Sequence, residues 1–274
     1  MLAVASTVAA AAIISPQALR WMAAAGQAGQ VGVYTATIQT SDPDMLSRLI
    51  GDAETYNRTL GPNIADNQTA DTGHDRYETL LDVGADMIGR LTIPAIRVDL
   101  GIYHDADDDS FARGVGHIFG SSLPVGGPGT NSVLAAHSGL LGATMFTDLR
   151  KLVAGDTFTV SVAGRNMVYM VESVTVVPGD DRTALTITPG VDAVTLMTCT
   201  PINVNSHRLL VRGVRVPGGG AGGAPVPQML GGLGAGFPWW LAWFVAGAVA
   251  VTVVSSVLLD RVGARRARRA AARS

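Results

Sequence analysis

The hydrophobic pattern near the N-terminus predicts a helix over residues 42–60. Ser41 or Asp42 can accept the first free backbone N–H groups, and Pro43 suits the first helical turn. Apolar residues follow at spacings of three and four, as on one helix face: Met45, Leu46, Leu49, Ile50, Ala53, Tyr56 and Leu60. The polar stretch 61–75 is interpreted as a loop, and residues 76–83 are predicted to form another short helix.

From Ile88 the pattern changes to short runs rich in β-branched and aliphatic residues, which is typical of strands. The predicted strands are Arg90–Tyr103 (interrupted at Pro94), Asn131–Ala136, Thr157–Ala163, Met167–Val177, Val191–Cys199 and Leu209–Val216. Gly164, Arg165 and Asn166 separate two of these runs and predict a hairpin. Six or more short strands with few helices favour a mainly β fold, either a closed barrel or a sandwich.

The C-terminal region has the pattern of a membrane anchor. A glycine- and proline-rich linker, 217–236, leads into 237–259, whose 23 uncharged residues would form a helix of about 34 Å and cross ~30 Å of hydrocarbon. An arginine-rich tail, 260–274, follows directly. The positive-inside rule therefore predicts a cytoplasmic tail and a strand-rich body outside the cell membrane. Residues 1–14 are also apolar but shorter than a span; they are a signal segment, a piece of a spanning helix, or a buried helix.

Charge and cysteine content narrow the functional classes. The net charge is −2, and six arginines lie after Asp260, so the body itself is acidic and offers no nucleic-acid surface. Cys199 is the only cysteine, which excludes an intramolecular disulfide. A lone thiol kept outside a cell is more readily explained by reactivity than by structure.

Cys199 ends a strand-like run, at a rim where loops build active sites. A cysteine there is most often a small buried hydrophobe. Arg208, however, lies nine residues further on at the start of the next predicted strand. A short connection would bring its cation near the sulfur, favouring the reactive thiolate.

A partner histidine is harder to choose. His137 follows an apolar strand, but spacing does not rank it against the other histidines, which are His74, His104, His117 and His207. No ligand spacing for a metal is present, no glycine loop for a nucleotide is found, and no cofactor is expected. The acidic run Asp105–Asp109 lacks the glycine and distal glutamate of a calcium loop and is interpreted as a solvated loop.

Four longer stretches carry a family resemblance. TLMTCTPINVNSHRLLVRG, Thr195–Gly213, resembles the cysteine signature of class C (pilin-polymerising) sortases, and Gly114–Leu140 resembles that family's segment leading to its catalytic histidine. Phe146–Phe158 and Ile93–His104 fit as well. The resemblance implies Cys199 as nucleophile, His137 as acid/base and Arg208 as the catalytic arginine. It also implies an eight-stranded sortase β-barrel with an N-terminal helical extension.

The resemblance and the composition together divide the chain into six segments. Its segments are an apolar N-terminal stretch over residues 1–30, a helical extension and lid region 31–87, the catalytic barrel 88–216, the linker 217–236, the transmembrane helix 237–259 and the basic tail 260–274. Two departures stand out: Ser138 replaces the usual Arg or Thr after the histidine, and the lid region keeps Asp66 but lacks the Pro-aromatic pair that plugs the site. We therefore predict an active site more open than is usual for the class.

The resemblance implies a transpeptidase acting on LPXTG-bearing surface proteins. Such an enzyme cleaves an LPXTG-like signal between Thr and Gly and joins the acyl group to a pilin lysine. Three alternatives remain: a sortase that anchors proteins to peptidoglycan, a hydrolase that releases surface proteins, and a non-catalytic, membrane-tethered domain that binds sorting signals.

Overall fold

The computed structural model describes most of the chain before the predicted anchor. It describes residues 2–68, 73–139, 145–218 and a subset of positions between 239 and 254. Most of the predicted linker, much of the predicted transmembrane helix 237–259 and the tail lie outside the described residues. Within the described regions, no helix is both long and apolar enough to cross a membrane.

Five α-helices are found among the described residues up to 218: α1 (Leu2–Thr40), α2 (Pro43–Asn57), α3 (Ile64–Asn67), α4 (His74–Glu78) and α5 (Asp108–Arg113). The predicted helix over 42–60 is confirmed as α2. The Asp42 carboxylate accepts the Asp44 N–H at 3.0 Å, and Pro43 occupies the first turn. Its apolar face is buried at Ile50, Ala53 and Tyr56.

Three sequence interpretations are corrected by the short helices. The region 61–75, interpreted as a loop, contains α3 and the start of α4, and the helix predicted over 76–83 ends at Glu78. These helices have only four and five residues, too few to show a helical period. The acidic run interpreted as a solvated loop begins α5, because Asp107 accepts the Ser110 N–H at 2.8 Å as an N-cap.

Eight strands close into the barrel that the resemblance implied, in the order β1-β2-β3-β4-β7-β8-β6-β5. They are β1 (Gly89–Ile93), β2 (Val98–Tyr103), β3 (Val115–His117), β4 (Thr130–Ala135), β5 (Thr157–Val162), β6 (Arg165–Pro178), β7 (Asp192–Thr200) and β8 (His207–Arg215). All pairs are antiparallel except β2–β3 and β4–β7. The sequence missed β3, which has only three residues.

The interruption predicted at Pro94 and the turn predicted near Gly164 each lie between two strands that pair with each other. Pro94 ends β1 and starts a 3-10 turn before β2, and the two strands pair from Gly89 with Ile102 to Ile93 with Val98. β5 and β6 form the predicted hairpin, with Val162 opposite Arg165. β1 pairs with both β2 and β5, so no edge remains open there.

The N-terminal extension is fixed to the barrel by two buried tyrosines. In α1, the Tyr34 hydroxyl donates to Ile88 O at 3.3 Å and accepts the Ala163 N–H at 3.1 Å, and burial raises the pKa of this phenol to about 12. In α4, fully buried Tyr77 accepts the Asp105 N–H at 3.0 Å and lies 2.9 Å from His117 Nδ1. Tyr77 therefore joins the main core of the barrel, whereas Tyr34 packs in a separate buried cluster with Met87 and Tyr103.

Candidate active site

Cys199 and Arg208 face each other across the β7–β8 pair. They are cross-strand Cα partners, next to the pair Thr200–His207 that precedes the connecting loop. Opposite residues of antiparallel strands share a face of the sheet, with Cα atoms about 4.5–5.5 Å apart. The predicted short connection is confirmed, and it places Arg208 opposite Cys199, whose free thiol is half-buried.

Main-chain carbonyls hold the Arg208 guanidinium in place. Nη1 donates to Asn205 O at 3.0 Å and to His207 O at 3.2 Å. Among the described residues no carboxylate lies within ion-pair distance of this guanidinium, and its other N–H groups have no hydrogen-bond partner. A guanidinium carries five N–H donors, so several donors of Arg208 remain for an anionic or carbonyl ligand.

His137 follows β4 by two residues and is held next to the cysteine strand. Because β4 and β7 are parallel neighbours, the chain beyond Ala135 continues alongside β7. The Ala136 N–H donates to Met197 O at 3.2 Å, and the Ser138 hydroxyl donates to Cys199 O at 2.6 Å. Hydrogen bonds on both sides of His137 thus fix its backbone to the strand that carries Cys199.

The structure separates the other four histidines from this arrangement. His74, His104 and His117 surround the Tyr77 ring, with ring centroids between 4.8 and 5.7 Å from it. His207 is exposed and accepts or donates at Nδ1 with its neighbour, the Ser206 hydroxyl, at 2.8 Å. Since side chains alternate along β8, His207 points away from the face of Arg208. His207 lies opposite Thr200 of the cysteine strand but on the other face from Cys199, whereas both chain neighbours of His137 bond to this strand close to Cys199.

A cavity of 390 Å³ adjoins this site on the Arg208 side. Its apolar wall includes Met197, Ile118 and Leu185, and its rim carries Asp107 and Asp181. Met197 lies two residues before Cys199 and therefore on the same face of β7. An extended peptide reaching Cys199 along this face would enter the cavity.

Helix α3 covers one side of this cavity. Ile64 is only 3% exposed and packs with Leu185 and Leu210. The Asn67 amide donates to Gly120 O at 2.9 Å, and the Gln68 amide donates to Phe119 O at 2.7 Å. The lid region therefore contacts the barrel through the Ile64 side chain and the side-chain amides of Asn67 and Gln68. The sequence does not reveal these contacts, because α3 is too short to show a helical period and the Asp-Pro-aromatic pattern of a plug is missing.

Phe111 is a further residue near the site that the sequence did not single out. Its ring centroid lies 4.9 Å from that of His137, with the planes tilted by 50°. One signal was present in the sequence, since Asp107 and Ser110 form an N-cap pattern that starts a helix at this point.

One group within the described regions has the spacing of metal ligands. Ligand atoms of His74, Asp75 and Glu78 lie within 4.8 Å of one another. Asp75 and Glu78 are exposed, and His74 also contacts Asp105 at 3.1 Å. The group lies beside Tyr77 and takes no part in the arrangement around Cys199.

Comparisons with known proteins agree with this geometry. The family model described as the sortase domain matches residues 91–216. No curated protein matches at a significant level. Among solved structures, sortase C-1 from Actinomyces oris is 46% identical with a TM-score of 0.59, and the match covers 64% of this chain and 99% of that one.

Two further solved structures are similar over comparable lengths. Sortase C from Streptococcus pneumoniae is 36% identical with a TM-score of 0.63, covering 68% of this chain and 96% of that one. A lid mutant of sortase A from Corynebacterium diphtheriae is 37% identical with a TM-score of 0.60, covering 64% of this chain and 95% of that one.

Proposed function

The chain belongs to the sortase family of cysteine transpeptidases and resembles its class C members, and on this premise we propose that it polymerises pilins. It would cleave an LPXTG-like signal between Thr and Gly and transfer the acyl group to a lysine of another pilin. The observation that carries the proposal is the cross-strand pairing of Cys199 with Arg208. The residues on both sides of His137, Ala136 and Ser138, are hydrogen-bonded to the strand that carries Cys199. The structure of the related Streptococcus pneumoniae sortase C was described with respect to pilin substrate specificity, which supports the choice of substrate.

In the first half-reaction, the Cys199 thiolate attacks the carbonyl carbon of the Thr–Gly bond. The C–N bond breaks, a thioester forms between Cys199 and the threonine, and the leaving amine takes a proton from His137. A cysteine is suited to this step because its thiolate is a strong nucleophile near neutral pH.

In the second half-reaction, a lysine amine attacks the thioester. A new amide bond forms, the C–S bond breaks, and His137 accepts the proton that the amine loses. The Cys199 thiolate is regenerated. No oxidant or cofactor is needed for either step.

Arg208 is proposed to donate to the oxygen that becomes negative in each tetrahedral intermediate. Its Nη1 is already engaged by two carbonyls, which fixes the plane of the guanidinium and leaves other donors for the substrate. A donor that is fixed before the reaction stabilises developing charge without reorganisation. Replacement by lysine would keep the charge but lose the planar fork, so Arg208→Lys should be nearly as inactive as Arg208→Ala.

We also propose that the barrel works outside the cell membrane. The support is sequence pattern alone: an uncharged stretch over 237–259 followed by the arginine-rich tail, which the positive-inside rule assigns to the cytoplasm. A tethered enzyme of this orientation would meet secreted pilins that still carry their sorting signals.

The full chain, purified in detergent, and its Cys199→Ala twin test the proposal. Each is mixed with an LPXTG peptide and analysed by intact mass. An adduct of the peptide truncated after threonine, formed only with Cys199, is the expected result. A folded wild-type protein whose thiol is freely labelled but which forms no adduct over a panel of sorting signals would exclude transpeptidation and favour the binding-domain alternative.

The acceptor is tested by adding amines to the pre-formed adduct. A peptide carrying a pilin lysine motif is expected to give an isopeptide-linked product. Transfer to a lipid II-type amine instead would identify the peptidoglycan-anchoring alternative, and release as the free acid in the presence of both amines would identify a hydrolase.

A further inference from the structure

The imidazole of His137 rests against one aromatic ring, that of Phe111, with a centroid separation of 4.9 Å. This distance lies within the range of attractive aromatic pairs, whose geometry is specific. Phe111 belongs to α5, in the crossover between β2 and β3, and is distant in sequence from the other residues of the site. It therefore approaches His137 from a different element than those that carry Cys199 and Arg208.

Helix α5 is fixed firmly enough to hold Phe111 in one place. Ser110, only 2% exposed, donates its hydroxyl to His104 O at 2.8 Å, and its N–H is capped by Asp107. At the other end of the helix, the Arg113 guanidinium lies 4.3 Å above the Tyr103 ring. The Ser110 hydrogen bonds, which are partly buried, and the Arg113–Tyr103 contact restrain the backbone on both sides of Phe111.

The His137 side chain has no hydrogen-bond or ion-pair partner among the described residues. Its backbone is tied to β7, but nothing polar within the described regions orients the ring. We propose that Phe111 is the positioning residue of His137: its ring restricts the rotation of the imidazole and thereby directs the ring nitrogens toward the reacting amine.

This inference rests on the proposed function, because His137 must deliver a proton to one amine and accept one from another. Both transfers need the imidazole within hydrogen-bond reach of a moving substrate. A wrong rotamer removes that geometry without affecting the binding of the sorting signal. Loss of Phe111 should therefore lower kcat and leave KM largely unchanged.

Four variants of the full chain separate this role from a structural one. Phe111→Ala is expected to lower kcat about tenfold with KM within about twofold, since small misplacements of catalytic groups are costly. Phe111→Tyr keeps an aromatic ring and is expected to restore kcat to within about twofold. Phe111→Leu keeps the apolar volume if Phe111→Ala does not fold. Asp108→Asn, at an exposed position on the same helix whose side chain makes no hydrogen bond or ion pair among the described residues, is the control and should leave kcat unchanged.

A spectroscopic measurement tests the contact independently of activity. In protein labelled with ¹³C-histidine, the His137 C–H signals, assigned with His137→Gln, are expected to be displaced by the Phe111 ring current. Phe111→Leu should remove the displacement and Phe111→Tyr should keep it. Unchanged signals in Phe111→Leu, a Phe111→Ala enzyme with wild-type kcat, or an equal loss of kcat in Asp108→Asn would each overturn the inference. If wild-type protein forms no acyl adduct, the proposed function fails, while these signals still decide whether Phe111 orients His137.

Discussion

The Ser138 hydroxyl donates to the main-chain carbonyl of Cys199 at 2.6 Å. With the bond from Ala136 N–H to Met197 O and that from the Thr198 hydroxyl to Ala136 O at 2.7 Å, it forms a ladder on both sides of His137. The family resemblance leads us to expect Arg or Thr at position 138, where this chain has Ser. Ser138 thus links the segment that carries His137 to the strand that carries Cys199, the two residues that are proposed to cooperate in catalysis.

Removal of this link should slow acylation without weakening peptide binding. In Ser138→Ala, loss of a hydrogen bond worth about 1 kcal/mol in the transition state corresponds to about a fivefold lower rate of acyl-enzyme formation. Ser138→Thr keeps a hydroxyl and should stay near the wild-type rate. Single-turnover intact-mass kinetics measure this rate. Ser206→Ala, which alters only the contact with His207, is the matched control, and an equal slowing in both alanine variants would contradict the prediction.

The covering of the cavity by α3 leads to a second prediction. Ile64 is its buried apolar contact, so Ile64→Ala should weaken the docking of α3 and raise kcat/KM for a sorting-signal peptide about tenfold, equivalent to about 1.4 kcal/mol. Thr59→Ala, whose hydroxyl donates to Tyr56 O in its own turn, should leave kcat/KM unchanged. An unaltered or lower kcat/KM in Ile64→Ala would show that α3 does not limit access.

The openness of the site stays a prediction of the sequence. Because the lid region lacks the Pro-aromatic pair, the Cys199 thiol is expected to react with a small alkylating reagent faster than the thiol of a relative that has the pair. Second-order labelling rates at one pH make the comparison. Equal rates would mean that Ile64, Asn67 and Gln68 close the site as well as an aromatic plug does.

Burial of His117 predicts that stability falls in acid. Desolvation lowers the pKa of this imidazole to about 3 in the folded protein, and its Nε2 donates to Ser122 O at 2.8 Å in the neutral form. The unfolded chain binds a proton near pH 6.5 and the folded protein does not, so stability is lost as pH falls from about 6.5 toward 3. The contribution is about 2 kcal/mol between pH 7 and pH 5.

Urea unfolding at several pH values tests the assignment to His117. A His117→Gln variant is less stable at every pH, but the fall of its unfolding free energy between pH 7 and pH 5 should be smaller by about 2 kcal/mol. The exposed His207→Gln variant should keep the wild-type slope. Identical slopes in wild-type and His117→Gln would place the acid sensitivity elsewhere, for example at His104, whose pKa burial also lowers.

The ion pair between Arg90 and Asp99 should matter far more than one on the surface. Arg90 Nε and Nη2 donate to the two Asp99 oxygens at 2.6 and 2.7 Å, and Arg90 is 8% exposed. Asp99→Ala leaves this guanidinium buried and unpaired and should cost about 3 kcal/mol of unfolding free energy. Asp109→Ala removes an exposed i,i+4 pair with Arg113 and should cost about 0.5 kcal/mol or less. Similar losses in the two variants would contradict the role of burial.

The sequence by itself determined the features of this protein that depend on local pattern. The capping residue and the three- and four-residue spacing of apolar side chains predicted helix α2. Runs of β-branched residues between turn residues predicted the long strands. The single cysteine and the specific signature around it indicated the chemistry. The short elements β3, α3 and α5 were missed or misjudged because they are too short to show a clear repeat of the helical or strand period.

Only the tertiary structure decided which residues meet. The family resemblance implied His137 among the five histidines, but its place beside the Cys199 strand depends on the parallel pairing of β4 with β7, a contact between segments about 60 residues apart that no local pattern encodes. The approach of Phe111 to His137 and of Ile64 to the cavity likewise arises from packing between distant elements. Local sequence specifies the strands and caps because their energies come from near neighbours, whereas the register and closure of the barrel place the side chains of the site.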